Sequence, residues 1–426
     1  MIFEVIKDAL SKSGAAELAQ TLKNGFAPLA VTGVSSVNKS LLALYLSSVL
    51  DRKVLVICED EAQARRMCTD INTLSEGAAE HFPAKDLILS HTESASREFE
   101  HERLRVLSRI PDVKIITAGA EAAMQPVPPP ELLSSSLRVF RAGDTFDTAE
   151  MAEYLTSVGY TRTDSVNSPA QFSVRGSLFD IFPVSETSPV RVELWDDEID
   201  SINCFDTETQ RRTEPRECLR VTPALEVFCD KGELADRIDR LAGKIRGKSA
   251  DRAKALLYRD SEMLRNGMTP GSIGKYLPIA FEGTFLISDH MEDPVVIFAE
   301  YNAAKTKAKG IMSRYNEDVR VLFEQGELCR GLEGHLVPFA ALTDMMLGHD
   351  TVFADSFMRT LSVPVKRLFT FNTNRTSPWG GEMRQLEDDI RSLAGNDYSI
   401  VVLAGSEKTL PIIAEDNGET IQAELS

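Results

Sequence analysis

Gly33-Val34-Ser35-Ser36-Val37-Asn38-Lys39-Ser40 is the segment around which the chain is organised. Against the phosphate-binding pattern G-x-x-x-x-G-K-[ST] it matches at Gly33, Lys39 and Ser40 and departs at Asn38. An apolar run, Leu29-Ala30-Val31, precedes it, and the helix-forming Leu41-Leu42-Ala43-Leu44-Tyr45-Leu46 follows. Strand, tight loop and helix is the setting in which backbone N–H groups and a helix N-terminus face an anion. Asparagine accepts a positive φ better than most residues, so the turn tolerates Asn38. Its side chain nevertheless projects into space that a phosphate must occupy.

A working site of this kind also needs an apolar strand ending in Asp-Glu, to hold Mg²⁺ and polarise the attacking water. Val295-Val296-Ile297-Phe298-Ala299-Glu300 is the matching run. Ala299 stands where the metal's carboxylate belongs, and Glu300 remains. Positioning and charge stabilisation supply nearly all of phosphoryl-transfer catalysis, so two lesions in one site predict a degenerate pocket with no catalytic residue and no cofactor. A helicase-type site further requires a second motor domain to deliver an arginine, and the residues beyond 384 are too few for one.

Working outward, residues 8–24 read as a first helix with Leu10, Leu18 and Leu22 on one side. Lys53–Cys58 and Val113–Ala118 are near-continuous apolar runs, the mark of buried parallel strands, with helices over 61–74 and 98–108 and a short segment around 81–86. This alternation predicts an α/β layer with right-handed crossovers. Pro126-Val127-Pro128-Pro129-Pro130 interrupts it as a domain boundary. From Arg141 to Pro223 there are eight arginines, no lysine and sixteen Asp or Glu. Short strands at 171–174, 178–182 and 190–195 predict a small α+β domain with an antiparallel sheet. Residues 231–265 read as a helical connector, broken near Gly243 and Gly247, with ten Lys or Arg against six acids. The α/β rhythm then returns with strands at 284–288, 295–299, 351–354 and 365–371 and a helix over 303–315. Beyond it come a turn at 378–381, a helix over 382–393, a strand at 398–403 and a helix over 407–415. The expected limits are 1–133 and 223–383 for the two halves of one α/β domain, 134–222 for the inserted domain, and 384–426 for the start of a truncated third.

The net charge of −18 disfavours sustained nucleic-acid binding by this chain and points to a protein partner. Six scattered cysteines without a C-x-x-C pair, and histidines without i, i+4 spacing, predict idle thiols and no metal site. No apolar run approaches the roughly 20 residues that span a bilayer, and the N-terminus lacks the features of a signal peptide. The expectation is a cytoplasmic protein with no membrane partner.

The most specific segment is Val174-Arg175-Gly176-Ser177-Leu178-Phe179-Asp180-Ile181-Phe182-Pro183, followed by Val190-Arg191-Val192-Glu193-Leu194-Trp195-Asp196-Asp197-Glu198-Ile199-Asp200-Ser201 and Phe205-Asp206. It resembles the R-G-x-x-[IVL]-D-[IVL]-[FY]-P … R-[IVL]-[DE]-[FL]-[FW]-[DG]-[DE]-x-[IV]-[DE] run of the UvrB-like family, and within it the N-terminal module of the bacterial transcription-repair coupling factors (Mfd). The resemblance extends more weakly over nearly the whole chain. It implies a degenerate helicase-like fold (RecA-like, of the P-loop NTPase type) with an inserted α+β domain. It also implies a non-enzymatic module whose inserted domain binds UvrA, while RNA polymerase and DNA are engaged by downstream translocase domains that are ATP-dependent. UvrB, the alternative relative, would carry an intact P-loop, an Asp-Glu strand end and an aromatic-rich hairpin for damaged DNA. Ser90 to Glu98, where that hairpin belongs, has no aromatic residue. The family's UvrA-contacting positions fall on Arg175 and Arg191, with Trp195 where an aromatic is usual. Arginine's rigid fork and tryptophan suit an interface. The competing reading pairs both arginines with Asp196, Asp197 or Glu198, and puts Trp195 in a core.

Overall fold

The first apolar runs become strands β1 (Leu29–Thr32), β2 (Val54–Cys58), β3 (Ala79–Phe82) and β4 (Ile115–Gly119) in the computed structural model, which describes residues 2–90, 96–247, 249–371, 383–396 and 400. Eight short strands follow: β5 (Arg138–Arg141), β6 (Thr161–Arg162), β7 (Gln171–Arg175), β8 (Leu178–Ile181), β9 (Val190–Trp195), β10 (Glu198–Phe205), β11 (Arg212–Pro215) and β12 (Cys218–Val221). The last three are β13 (Val295–Ala299), β14 (Asp350–Asp355) and β15 (Arg367–Thr370).

Seven of these strands form one sheet in the order β15-β1-β14-β13-β2-β4-β3, and every pairing in it is parallel. Its central strands are buried on both faces, which is why they read as unbroken apolar runs. Leu55, Ile57, Val296, Phe298 and Phe353 pack on one side, and Val54, Val56, Ile297, Val352 and Ala354 on the other. Between β4 and β13 the chain leaves this sheet and builds a six-stranded sheet, β11-β10-β9-β8-β7-β6, and a two-stranded one, β12-β5. The inserted core is Phe146, Phe172, Phe179, Val192 and Leu194, with Phe146 edge-on to Phe179. This is a helicase-like α/β layer carrying an inserted α+β unit, as the sequence implies.

Several local readings are corrected. The first helix is two, Ile2–Ser11 and Gly14–Lys23, because the Ser13 hydroxyl accepts from the Ala15 N–H at 3.2 Å and caps a new start. Residues 81–86 open with strand β3. The supposed strand at 284–288 is a bridge at Phe285 leading into a 3-10 turn over Ile287–His290, where the Asp289 carboxylate accepts from the Leu286 N–H at 2.6 Å. The inserted sheet is antiparallel except that β6 runs parallel to β7. The helix expected over 303–315 is longer, Tyr301–Gln325, and that over 382–393 is Met383–Ala394. The turn at 378–381, the strand at 398–403, the helix at 407–415 and most of the segment Ser90–Glu98 lie outside the described residues. All six cysteines are free thiols. No helix among the described residues is long and apolar enough to cross a membrane, and none of their His, Cys, Asp and Glu side chains cluster as metal ligands.

Candidate functional site

At the carboxyl ends of β1, β13 and β14 the sheet brings together the residues of the phosphate-type motif, Gly33, Lys39 and Ser40, with Ala299 and Glu300. The loop after β1 is short: a helix already begins at Ser36, and the Lys39 N–H donates to the Ser35 carbonyl at 3.0 Å. Residues that would wrap a phosphate are therefore wound into the first helical turn. Gly33 has φ +81°, and a Cβ there would lie 2.0 Å from the Phe371 carbonyl oxygen, so backbone approach alone demands this glycine. Asn38 is half-buried beside it.

Lys39 is buried, with Nζ 2.6 Å from Glu300 Oε1 and 3.1 Å from Ser356 Oγ. The same Glu300 oxygen accepts from the Ser356 N–H at 2.8 Å. Burial opposes ionisation of Glu300, but the hydrogen bonds from Lys39 and Ser356 outweigh it and hold the carboxyl below its usual range. Ala299 ends β13 without an oxygen ligand. The next strand supplies Asp355, buried and bonded to the Tyr301 N–H at 3.1 Å, its acidity weakened to a pKa of about 6 by burial and by Glu300. Ser40 is fully buried, and among the described residues its hydroxyl has no hydrogen-bond partner. The two charges of the motif are internally paired: Lys39 and Glu300 satisfy each other.

The second constellation lies on the inserted sheet. β8 pairs with β9 so that Asp180 faces Arg191, and Arg175 ends β7 on the same side of the sheet. Alternation then places Arg175, Asp180, Arg191, Glu193 and Trp195 on one face, opposite Phe172, Phe179, Val192 and Leu194 in the core. Asp180 is fully buried. It receives a bidentate pair from Arg191, Nε to Oδ1 at 2.6 Å and Nη2 to Oδ2 at 2.8 Å, and a third bond from Arg175 Nη2 at 2.5 Å. Arg191 also donates to the Gln210 carbonyl at 3.0 Å and stacks over Phe205 at 4.7 Å. By accepting the bidentate pair of bonds, the Asp180 carboxylate holds the pKa of Arg191 above the ordinary arginine value.

The two arginines thus differ. The Arg191 side chain is only 11% exposed, whereas that of Arg175 is 46% exposed. Trp195 is 81% exposed at the end of β9, so the core reading for it is wrong. The pairing acid is likewise Asp180 rather than Asp196, Asp197 or Glu198. Sequence reading missed Asp180 as a site residue, although an acid inside the apolar strand Leu178-Phe179-Asp180-Ile181 is the signal that such a partner exists.

The residues 139–226 match the UvrB interaction domain family. Over 419 residues, 91% of this chain, it is 26% identical to the transcription-repair-coupling factor of Bacillus subtilis (strain 168). The corresponding proteins of Staphylococcus haemolyticus (strain JCSC1435) and Staphylococcus aureus (strain USA300) are 24% and 23% identical over 90% of it. The chain spans about a third of the length of these relatives, 33–34%. A UvrB interaction domain set into a parallel α/β sheet, with transcription-repair-coupling factors matching nearly the whole chain, makes this chain similar to the N-terminal module of those proteins.

Proposed function

We propose that this chain is a non-catalytic docking module that binds UvrA through the outer face of its inserted sheet, and so couples stalled RNA polymerase to excision repair. Polymerase and DNA are engaged, in this reading, by other parts of a longer chain. The observation that carries it is Trp195, 81% exposed beside a half-exposed Arg175 on a face within the matched domain. A tryptophan left in water on a strand has no packing role in the isolated chain, and Trp and Arg are the residues that dominate interface energetics. The domain limits we propose are 134–222 for the docking domain, 1–133 and 223–383 for the helicase-like body, and 384–426 for the start of a third domain.

Arg175→Ala and Trp195→Ala are each expected to weaken UvrA binding by about 1–3 kcal/mol while leaving the fold intact. Immobilised UvrA titrated with each variant measures this. Parent-like affinity for both would remove the assignment.

The nucleotide motif is read as a structural remnant, supported by the helix start at Ser36, the Lys39–Glu300 pair and Ala299. Titration with labelled Mg²⁺-ATP up to about 1 mM, the upper end of ordinary KM values, should show neither saturable binding nor turnover. Micromolar binding with hydrolysis would establish the alternative, an active UvrB-like or helicase-like ATPase on damaged DNA.

A further inference from the structure

The basic helical pair Lys231–Lys244 and Ala250–Arg265 plays no part in the docking face. It packs on the main core through Leu234, Ile238, Leu257 and Leu264, and bends between Ile245 and Ser249. Opposite this bend lies the end of the long helix Tyr301–Gln325, where Gly326 turns the chain at φ +69° with its Cα so close that a Cβ would lie 2.9 Å from the Ser249 carbonyl oxygen. Between the two runs a groove of about 1130 Å³.

Its floor is apolar, made by Leu241, Ile245, Phe323 and Leu328. Its rim carries Lys244, Arg246 and Arg330, all exposed. Among the described residues no carboxylate pairs with these three: Arg246 donates only to the Gly243 and Ile245 carbonyls, at 2.8 Å each. Glu324, which also lines the groove, is taken by Arg320 at 2.6 Å, and Glu327 by Arg252 at 2.8 Å. On a chain of net charge −18, a cluster of unanswered cations around an apolar trough runs against the overall field.

We propose that this groove binds an acidic amphipathic segment of a partner protein, apolar side chains on the floor and carboxylates at the rim. The volume lies beyond the roughly 300–1,000 Å³ of small-molecule pockets, and helix-in-groove recognition joins these two features. Nucleic acid fits less well. Phosphates would meet the cations, but among the described lining residues Phe323 is the single aromatic, and the aliphatic Leu241, Ile245 and Leu328 offer successive bases no stacking platform.

The test uses a labelled helical peptide of about four turns, with leucines at i, i+3, i+4 and i+7 and glutamates beside them, and anisotropy with the whole chain. Saturable binding is expected, weakened about tenfold or more by the triple exchange Lys244→Glu, Arg246→Glu and Arg330→Glu. These side chains are exposed, so circular dichroism should match the parent. A lysine-flanked version of the peptide should bind at least about tenfold more weakly, and Arg162→Glu, an exposed charge reversal on the inserted sheet, should change nothing. No saturable binding, or equal binding by the charge-reversed variant, overturns the proposal. So does a duplex DNA that binds in preference to the peptide and is lost with the same triple exchange.

Discussion

Arg103→Ala is expected to lower the free energy of unfolding by about 3–5 kcal/mol, because it leaves an uncompensated charge in the interior. Arg103 and Glu226 are both fully buried, with Nε 2.6 Å from Oε1. The guanidinium stacks over Phe82 at 4.3 Å and donates to the Pro83 and Pro126 carbonyls, at 3.1 and 3.2 Å, and to Gln125 Oε1 at 3.1 Å. Lys85 contacts the second Glu226 oxygen, and the Glu226 N–H donates to Glu100 at 2.8 Å. Gln125-Pro126 lies after β4 and before the inserted strands, and Glu226 follows β12, the last of them. One side chain therefore ties both segments to the helix Glu98–Arg109.

Burial opposes ionisation of Glu226, but the Arg103 and Lys85 charges prevail and hold its carboxyl below the usual range. The sign follows from linkage: this contribution is full above the unfolded glutamate value of about 4.3 and is lost as pH falls through the lower folded value. In Arg103→Ala that acid-dependent part should shrink. Urea unfolding followed by circular dichroism at neutral and acid pH measures both effects. The double change Arg103→Met with Glu226→Leu should recover part of the loss, since apolar replacement of a buried pair is often neutral or better. A loss below about 1 kcal/mol for Arg103→Ala would reduce the contact to an ordinary hydrogen-bonded one.

The parallel sheet was legible because strands buried on both faces have no polar alternation to obscure them, as in Val54–Cys58 and Val295–Ala299. Strand β10 was not. Its first half, Glu198 to Ser201, is acidic on the solvent side, and a bulge between Ile199 and Ser201 breaks the period of two. Phe285 to Ser288 has strand composition, yet a single carboxylate, Asp289, suffices to curl it into a turn. The proposed docking-face arginines were singled out by their motif, but their internal partner was not. Sequence neighbours Asp196 to Glu198 looked available, whereas cross-strand register delivers Asp180 from eleven positions away. The same holds for Arg103 and Glu226, which are 123 residues apart. Charge pairs formed by topology leave no local trace beyond an ionisable residue in an apolar setting.

Arg191→Ala is expected to cost about 3–5 kcal/mol of stability, against about 1 kcal/mol or less for Arg175→Ala. Asp180 is fully buried and takes two of its three guanidinium bonds from Arg191, so removing that partner strands a charge, while Arg175 adds a bond from a half-exposed side chain. The consequence for UvrA docking is specific. If Arg191 serves only by answering the buried Asp180 charge, then Arg191→Ala loses binding through the domain rather than through a missing contact. Replacing both members of the pair, Arg191→Met with Asp180→Leu, should restore most of the stability, because the inner edge of this face adjoins Phe205 and the core strands. With Arg175 and Trp195 still present, UvrA affinity should then return to within about tenfold of the parent. Unfolding curves and UvrA titrations on the same preparations separate the two roles. Stability restored with affinity still lost would mean that the Asp180–Arg191 pair itself shapes or touches the UvrA face, directly or by holding Arg175. Affinity unchanged in every variant, Arg175→Ala and Trp195→Ala included, would instead remove this face from the docking reaction altogether.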